Sequence, residues 1–293
     1  MFKNKSSSSF FHKIIDYAGF FPPSQLPIEE AFNNFLYYQK QGHREMLSKF
    51  ICPAHHLQTI YDLCIEKDTS NIPVIVVGPA KDIENQMHWM SMHNDRLSFS
   101  VAEIKFDYRE DSLLNISRII NSDISLDIVF LEPDCESIDT SFVSFLDELS
   151  NNSSFGLKIR CGGSMAKVVP PANLLSSLFI LCAERTIPLK FTAGLHHAVR
   201  YINDDNHIEH GFINVFLGSV AAYSGITEKA VISNMLECQN KHKFIFSDYG
   251  IEFEGSKISH TDITKARQSI TSFGSCDFIQ PVDDLKDMEI IIS

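Results

Sequence analysis

The chain lacks the cysteine patterns of a disulfide framework or a zinc ribbon. Its seven cysteines are odd in number, are scattered, and contain no Cys-x-x-Cys pair. Disulfide-rich domains and ribbon-type zinc sites are built on closely spaced cysteines. We therefore expect a reducing, cytoplasmic compartment.

Basic residues and long apolar runs are also scarce. With 25 Lys and Arg against 37 Asp and Glu, the net charge is -12, which disfavours nucleic acid and anionic membranes as partners. No stretch approaches the roughly 18 apolar residues of a membrane helix. The first fifteen residues have neither the apolar segment nor the cleavage site of a secretory signal. We expect no nucleic-acid and no membrane partner.

The overall composition is typical of a globular protein, with 44% hydrophobic and 21% charged residues among 293. The serine-rich start predicts a disordered tail over residues 1–9. No Pro-, Gly- or Ser-rich linker interrupts the remainder, so residues 10–293 are predicted to form a single domain.

Short β-rich runs alternate with helical patterns after a first helix over 28–41. The predicted strands are 49–53, 73–78, 99–106, 127–133, 156–163 and 188–195. The predicted helices between them are 55–67, 82–96, 110–121, 137–151 and 171–186. This rhythm is typical of right-handed βαβ units and a parallel sheet.

Beyond residue 195 the pattern loosens. Residues 210–225 predict a helix or a strand followed by a helix, 243–259 predict a hairpin, and 272–288 supply a last strand and helix. Polar residues on the strands argue against an open sheet covered on both faces. The predicted fold is α/β, a (β/α)8 TIM-type barrel that is distorted in its last two units or complete, with a C-terminal hairpin insertion.

Charged residues and one threonine share one parity near the ends of four predicted strands. They are Glu103 with Lys105, Glu132, Lys158 with Arg160, and Lys190 with Thr192. In a barrel such positions line the catalytic mouth. The four cations exceed the two carboxylates by two, and an anionic substrate, a carboxylate or phosphate, would balance them. The alternative is a layer of salt bridges.

Glycines follow two of these strands. Gly162 and Gly163 come after Arg160, and Gly194 comes after Thr192. Without a Cβ, their backbone amides can approach a ligand oxyanion. A tight turn between strand and helix is the alternative reading.

Four kinds of side chain are candidates for catalysis. Lys158 and Lys190, on neighbouring strands, suit a Schiff base with a carbonyl substrate, although lysines also bind phosphate. The pair His196 and His197 would move protons. Asp16, in a predicted loop, is an acid, a base or a helix cap. Glu132 completes this catalytic set.

A metal site is the rival interpretation. If 207–214 is helical, His207, His210 and Asn214 share one face and would join His196 or His197 as ligands, with Glu103 or Glu132 as the base. Without a metal, His210 and Asn214 are substrate-binding candidates. No cofactor is otherwise predicted.

Cys276 is a further substrate-binding candidate. Two small residues precede it, which predicts an exposed turn. A reactive thiolate there would require a nearby cation or a helix N-terminus.

Five separated motifs resemble a family of uncharacterised conserved bacterial proteins of about this length. They are DYAGFFPP, LKIRCGG, KFTAGLHHAVR, HGFINVF and SFGSCDF, spanning residues 16–285. The resemblance implies a single compact unit and no particular activity. An acidic residue often precedes the proline after the SFGSC segment in that family, whereas this chain has Gln280.

More distantly, GLKIRCGG and LKFTAGL are similar to the strand-end lysine motifs of Schiff-base aldolases of the deoxyribose-phosphate type. In those enzymes one strand carries the imine-forming lysine and the next an activating lysine. The order of the two motifs is reversed here, so the likeness is one of fold.

The leading hypothesis is a cytoplasmic barrel enzyme that acts on a small anionic metabolite in a lyase or aldolase-like reaction. A metal-dependent hydrolase or isomerase is the first alternative. A non-catalytic ligand-binding or interaction protein is the second, since 23 phenylalanines against one tryptophan are compatible with an interaction surface. Assembly of the chain into a homo-oligomer is a further open alternative.

Overall fold

Eight parallel strands close into a barrel, which confirms the predicted fold class. The structure is a computed structural model that describes residues 1–120, 126–163 and 169–292, without the side chains of 118 and 120. The first seven barrel strands are β1 (Ile15–Tyr17), β2 (Leu47–Pro53), β3 (Ile72–Val77), β4 (Leu97–Lys105), β5 (Ile128–Glu132), β6 (Phe155–Arg160) and β7 (Leu189–Thr192).

Helices alternate with these strands and bury apolar faces against the outside of the barrel. They are α1 (Lys5–Phe11), α2 (Ile28–Tyr38), α3 (Leu57–Glu66), α4 (Ala80–Met92), α5 (Leu113–Ile120), α6 (Thr140–Ser150) and α7 (Ala172–Glu184). The six strands and six helices predicted between residues 28 and 195 are confirmed to within a few residues at each end. The last residue of the helix predicted over 110–121 lies outside the described residues.

The segment after β7 carries extra elements before the barrel closes. It contains a hairpin of β8 (Tyr201–Ile202) and β9 (Ile208–Glu209), helices α8 (Phe212–Tyr223) and α9 (Lys229–Glu237), the antiparallel strands β10 (Ile245–Phe246), β11 (Gly250–Phe253) and β12 (Ser256–Ser259), then α10 (His260–Ala266). The predicted hairpin insertion is thus a three-stranded sheet.

The last strand, β13 (Ile270–Ser275), pairs with both β7 and β1, and α11 (Ile279–Asp287) follows it. Since β1 also pairs with β2, the barrel is complete and not open at its end. The insertion is accommodated outside the barrel, so closure needs no distortion of the strand order.

The start of the chain differs from its prediction. Residues 1–9 are not a disordered tail: Asn4 caps α1 by accepting a hydrogen bond from the Ser7 amide, and Ser6 and Ser7 are buried. Phe10, at 0% exposure, and its neighbour Phe11 anchor this helix. The serine-rich composition predicted disorder, although the segment forms a helix with an asparagine at its N-cap.

Asp16 was predicted in a loop but lies in β1. The strand has three residues, all buried, so it is too short to show alternation. The metal-site alternative depended on a helix over 207–214, and this condition is not met, because β9 occupies 208–209 and α8 begins at Phe212. Gly211 lies against the backbone of Val199, a contact that leaves no room for a Cβ.

The barrel interior is apolar in one part and charged in the other. Ala18, Ile51, Ile75, Val101 and Phe130 form the apolar part. In the described portion of the chain, no helix combines the length and apolar character required to cross a bilayer.

Candidate functional site

Six charged side chains from five strands form a continuous series of ion pairs inside the barrel. In order they are Asp16 (β1), Lys190 (β7), Glu103 (β4), Lys158 (β6), Glu132 (β5) and Arg160 (β6). We call this series the charged chain. Parallel pairing explains its assembly, since Lys158 lies opposite Lys190 in register and Lys105 opposite Glu132.

Lys158 is the centre of the charged chain. Its Nζ lies 2.6 Å from Glu103 Oε2 and 2.8 Å from Glu132 Oε2, and 7% of its side chain is exposed. Burial alone would lower the pKa of Lys158, but the two carboxylates outweigh burial and raise it. Lys158 is therefore an ammonium group at neutral pH.

Glu132 is held in its ionised form. Burial alone would raise its pKa, but Lys158 and Arg160 outweigh burial and lower it. Arg160 donates from Nε and Nη2 to one oxygen of Glu132, at 3.1 and 2.8 Å. As a carboxylate with two cationic partners, Glu132 is better suited to fixing Lys158 than to accepting a proton.

Glu103 is held by charge more than by directed hydrogen bonds. Its oxygens lie 2.6 Å from Lys158 Nζ and 3.4 Å from Lys190 Nζ. Neither oxygen has a partner at a favourable hydrogen-bond angle in the described residues. The short distances show the attraction, and the angles show that the pairing is not optimal.

Lys190 and Asp16 form the deepest pair of the charged chain. Each side chain is 1% exposed, and they are in direct contact. Lys190 Nζ also donates to Ser272 Oγ at 2.9 Å, and Asp16 accepts the Lys49 amide at 3.0 Å. Burial would raise the pKa of Asp16, but the Lys190 ammonium, the charge of Lys49 and a hydrogen bond from the Ser272 hydroxyl lower it. Ser272, on β13, was not among the predicted site residues.

A cavity of about 870 Å³ opens above the charged chain. Glu103, Glu132 and Lys158 form its buried part. Loops after β4 and β5 supply its rim, lined by Lys105, Asp107, Tyr108, Arg109, Asp111, Asp134, Glu136 and Ser137. The charged run that follows β4 is the sequence signal that would have revealed this rim.

A second cavity, of about 590 Å³, lies beside the first. Lys158 and Arg160 line it together with Pro170, Leu174 and Leu178. Lys158 lines both cavities. Their volumes are within the range of small-molecule sites.

The prediction that the barrel mouth carries two more positive than negative charges is wrong. Lys190 is balanced by Asp16, which sequence reasoning had placed in a loop, and Lys105 pairs with Asp134 at 3.1 Å. Four cations therefore face four carboxylates. The layer of salt bridges considered as the alternative is present, and charge balance alone does not require an anionic ligand.

The glycines after the strands serve close packing. A Cβ on Gly162 would lie 2.6 Å from the Gly194 Cα, and Gly194 has a φ of +71°. Gly163 is the next residue along this turn, and Thr192 pairs with Arg160 in register. The tight-turn reading explains Gly162 and Gly194 without a ligand.

The predicted histidine ligands are dispersed over separate contacts. His197 Nδ1 lies 3.1 Å from Asp284 Oδ2, on α11, and His207 lies in the turn between β8 and β9. In the described ranges, no three His, Cys, Asp or Glu side chains are placed to hold a metal ion. The predicted metal cluster is therefore not assembled by these residues.

His210 and Asn214 have structural partners. His210 contacts Arg200 Nη1 at 3.1 Å and the Pro170 carbonyl at 2.7 Å, and burial lowers its pKa. Asn214 donates to the carbonyl oxygens of Met235 and Cys238. Both side chains are 0% exposed, so neither reaches a substrate in this conformation.

Cys276 lies directly after β13 and is 7% exposed, not in an exposed turn. The Ser24 hydroxyl, from the loop after β1, donates to its carbonyl oxygen at 3.3 Å. Burial alone would raise the pKa of the Cys276 thiol, but its interactions with His196, from the loop after β7, and with Ser24 lower it. His196 therefore belongs to a different cluster from Lys158.

No family model matches the chain, and no curated protein matches its sequence. A structure of a Leishmania donovani UMP synthase is similar at 10% identity with a TM-score of 0.43, covering 87% of this chain and 62% of that one. The chain spans less than two thirds of the length of that protein.

Proposed function

We propose that the chain is an enzyme that acts on a small metabolite with a carbonyl group and an anionic group, in a lyase or aldolase-like reaction at the barrel mouth. The observation that carries this proposal is the position of Lys158. It lines both cavities while Glu103 and Glu132 hold its ammonium group in place. A buried cation that is already held in position stabilises negative charge that develops beside it.

Lys158 acts in this proposal as an ammonium group and does not form an imine. A Schiff base requires a neutral amine, whereas the flanking carboxylates raise the pKa of Lys158. In the cleavage direction, the hydroxyl on the β carbon loses its proton to solvent water and becomes the carbonyl group of the leaving aldehyde. The electron pair of the bond between the α and β carbons forms an enolate, and the Lys158 ammonium stabilises the enolate oxygen. Imine formation at Lys190 would disrupt its buried contact with Asp16.

Arg160 is the proposed anchor for the anionic group. Its hydrogen bonds to Glu132 use Nε and Nη2, so Nη1 is left to donate to a ligand, as far as the described residues show. Its side chain is 44% exposed and lines the smaller cavity. Carboxylates on the rim of the larger cavity, such as Asp107 and Asp111, favour a neutral, hydroxyl-bearing end of the substrate on that side.

Calorimetric titration with pyruvate, glycolaldehyde phosphate and uncharged glycolaldehyde tests the proposal. We expect an anionic probe to bind, and Arg160→Met to weaken its binding by about tenfold or more. Lys257→Met, at a lysine 74% exposed on β12, is the control and should leave binding unchanged. Circular dichroism verifies that each variant is folded.

Borohydride reduction in the presence of the same probes separates the two roles of lysine. We expect no covalent adduct on Lys158 or Lys190. An adduct on either would establish the imine route instead. Equal binding by the Arg160 and Lys257 variants would contradict the anionic substrate class.

A further inference from the structure

A further cavity, of about 330 Å³, lies between α1 and α10, which pack against each other. A barrel strand follows each helix within a few residues, β1 after α1 and β13 after α10. Turns that precede parallel strands lie at the N-terminal end of the barrel, opposite the mouth. The cavity is therefore remote from the charged chain. Its lining is polar: Ser8, Ser9, His12, Thr264, Arg267 and Gln268.

Arg267 is the permanently charged group of this cavity, and it is half-buried. It donates to the carbonyl oxygens of His12, at 2.9 Å, and of Ile270 and Thr271. Every acceptor that it has among the described residues is a backbone carbonyl, and its buried Nε has no partner there. The guanidinium is thus held in place without a carboxylate in contact with it.

This lack of a carboxylate is unusual for the chain, which has 37 acidic residues. Other arginines contact a carboxylate directly, as in the pairs Arg109–Asp139 and Arg185–Asp147. Burial lowers the pKa of Arg267 to about 10, so the group is still a cation at neutral pH. A partly buried cation without a counter-ion is costly, and an anionic ligand in the cavity would offset that cost.

Hydrogen-bond donors surround Arg267 on two helices. In the described part of the chain, the Ser8 hydroxyl and the Gln268 side-chain amide form no hydrogen bond. Ser9 Oγ lies 3.0 Å from His260 Nε2 and 3.4 Å from Thr264 Oγ1. Arg267 uses one N–H of Nη2 for the His12 carbonyl, and the second is left to donate. These groups approach the cavity from different sides.

The surroundings of His12 show that positive charge prevails beside the cavity. Burial lowers the pKa of His12, and the charges of Lys13 and Arg267 lower it further, while Glu45 opposes them. The ring is exposed and is neutral at pH 7, so one of its nitrogens keeps an N–H to donate. An anion would therefore meet a cation and neutral donors.

We propose that the cavity between α1 and α10 binds a phosphate group. A guanidinium matches two phosphate oxygens, and hydroxyl and amide donors on both helices reach the others. Donors from several sides suit a tetrahedral group better than a planar carboxylate. The volume lies at the lower end of the range for small-molecule sites, so the ligand is inorganic phosphate or a small phosphate monoester.

This site goes beyond the reaction proposed at the barrel mouth and does not depend on it. The charged chain uses none of the residues that line the cavity. The structural alternative is that Arg267 only fastens the start of β13 through the carbonyls of Ile270 and Thr271. That role predicts no response to phosphate.

Proton NMR of the histidine rings tests the site in the full chain, at constant pH and with chloride balancing the ionic strength. The absence of one signal in His12→Gln identifies His12. We expect inorganic phosphate to shift this signal saturably, in the wild type and in Arg160→Met alike, since Arg160 belongs to the mouth. A His12 signal that does not move at up to about 20 mM phosphate would overturn the proposal.

A charge added to the cavity wall tests whether the bound phosphate lies there. Gln268→Glu should weaken phosphate binding about tenfold by repulsion. Gln239→Glu makes the same change at an exposed residue that does not line the cavity, and it should bind as the wild type does. Equal affinities in these two variants would overturn the site.

Arg267→Met should reduce phosphate binding about tenfold or more, with circular dichroism as the check on folding. Because Arg267 also contacts three carbonyls, this variant could fail to fold, and the exposed Gln268 then decides the question.

Three probes define the ligand. Tighter binding of glycerol phosphate than of inorganic phosphate would assign a phosphate monoester, and equal binding would assign the free ion. Acetate should shift the His12 signal only weakly. Acetate binding equal to that of phosphate would overturn the phosphate assignment.

Discussion

Lys158 and Lys190 lie opposite each other on neighbouring strands and share one carboxylate, Glu103. Two adjacent buried ammonium groups repel each other, and Glu103 offsets this repulsion because it contacts both. It also joins the Asp16–Lys190 pair to the group formed by Lys158, Glu132 and Arg160. Glu103 thus contributes more to the stability of the barrel than a carboxylate that contacts one cation.

Replacing Glu103 by glutamine should destabilise the fold by about 3–5 kcal/mol, since it leaves buried ammonium groups undercompensated. The free energy of unfolding in urea measures this. Asp134→Asn is the matched control, because the Lys105–Asp134 pair has side chains 73% and 72% exposed and should cost less than about 1 kcal/mol. Similar losses in both variants would contradict the shared-carboxylate interpretation.

Asp16 and Glu132 should make stability fall in acid. Burial opposes ionisation of both, but their cationic partners hold their pKa values below the ordinary 3.8 and 4.5. A carboxyl whose pKa is lowered by folding stabilises fully above its unfolded pKa, and this contribution is lost as pH falls through the folded pKa. We expect a plateau in unfolding free energy above about pH 5 and a decline below about pH 4.

The sign is reversed for Lys158. Its pKa is raised above 10.5 in the folded state, since Glu103 and Glu132 outweigh burial. Its contribution is therefore complete below about pH 10 and is lost as pH rises through the folded pKa. Glu132→Gln should weaken the fall of the unfolding free energy at both low and high pH. Urea unfolding from pH 3 to 11 measures this. If the unfolding free energy of this variant kept the pH dependence of the wild type, the pairing of Glu132 with Lys158 would not be its cause.

The positions within the charged chain could be predicted where a strand was long enough to show alternation. Lys158 and Arg160 on β6, and Glu103 on β4, share a parity that follows from the two-residue repeat of a strand. Parallel pairing then brings the strand ends together without knowledge of any contact. This is why the barrel and the meeting of these side chains followed from the sequence.

The charge balance could not be predicted, because it depends on Asp16. β1 has three residues and all are buried, so no alternation marks it as a strand. Its partner Lys190 is 174 positions away, and no local pattern connects the two. Likewise, the interaction between His196 and Cys276 depends on barrel closure by β13, which pairs strands remote in sequence.

Gly162→Ala should destabilise the loop after β6. An added Cβ would lie 2.6 Å from the Gly194 Cα, which is backbone and cannot rotate away. Overpacking of this kind costs about 1–3 kcal/mol. Gly42→Ala is the control, since a Cβ there has nothing within 4 Å. Thermal unfolding of both variants provides the comparison, and an equal midpoint shift would show that the loops separate easily.

Asn214→Leu distinguishes a structural from a ligand-binding role for this buried amide. Asn214 donates to the Met235 and Cys238 carbonyls at 2.7 and 2.8 Å and accepts the Arg200 amide at 2.8 Å. Leucine leaves these three backbone groups without partners at a position with 0% exposure. We expect a loss of about 3 kcal/mol or more in unfolding free energy.

Asn234→Leu is the control for this variant, because Asn234 is exposed on α9 and bonds only to the Glu254 side chain among the described residues. Its replacement should cost less than about 1 kcal/mol. Unfolding in urea and titration with the anionic carbonyl probes are measured on both variants. If Asn214→Leu kept full stability but lost probe binding, Asn214 would be a binding residue, as its position beside His210 first suggested.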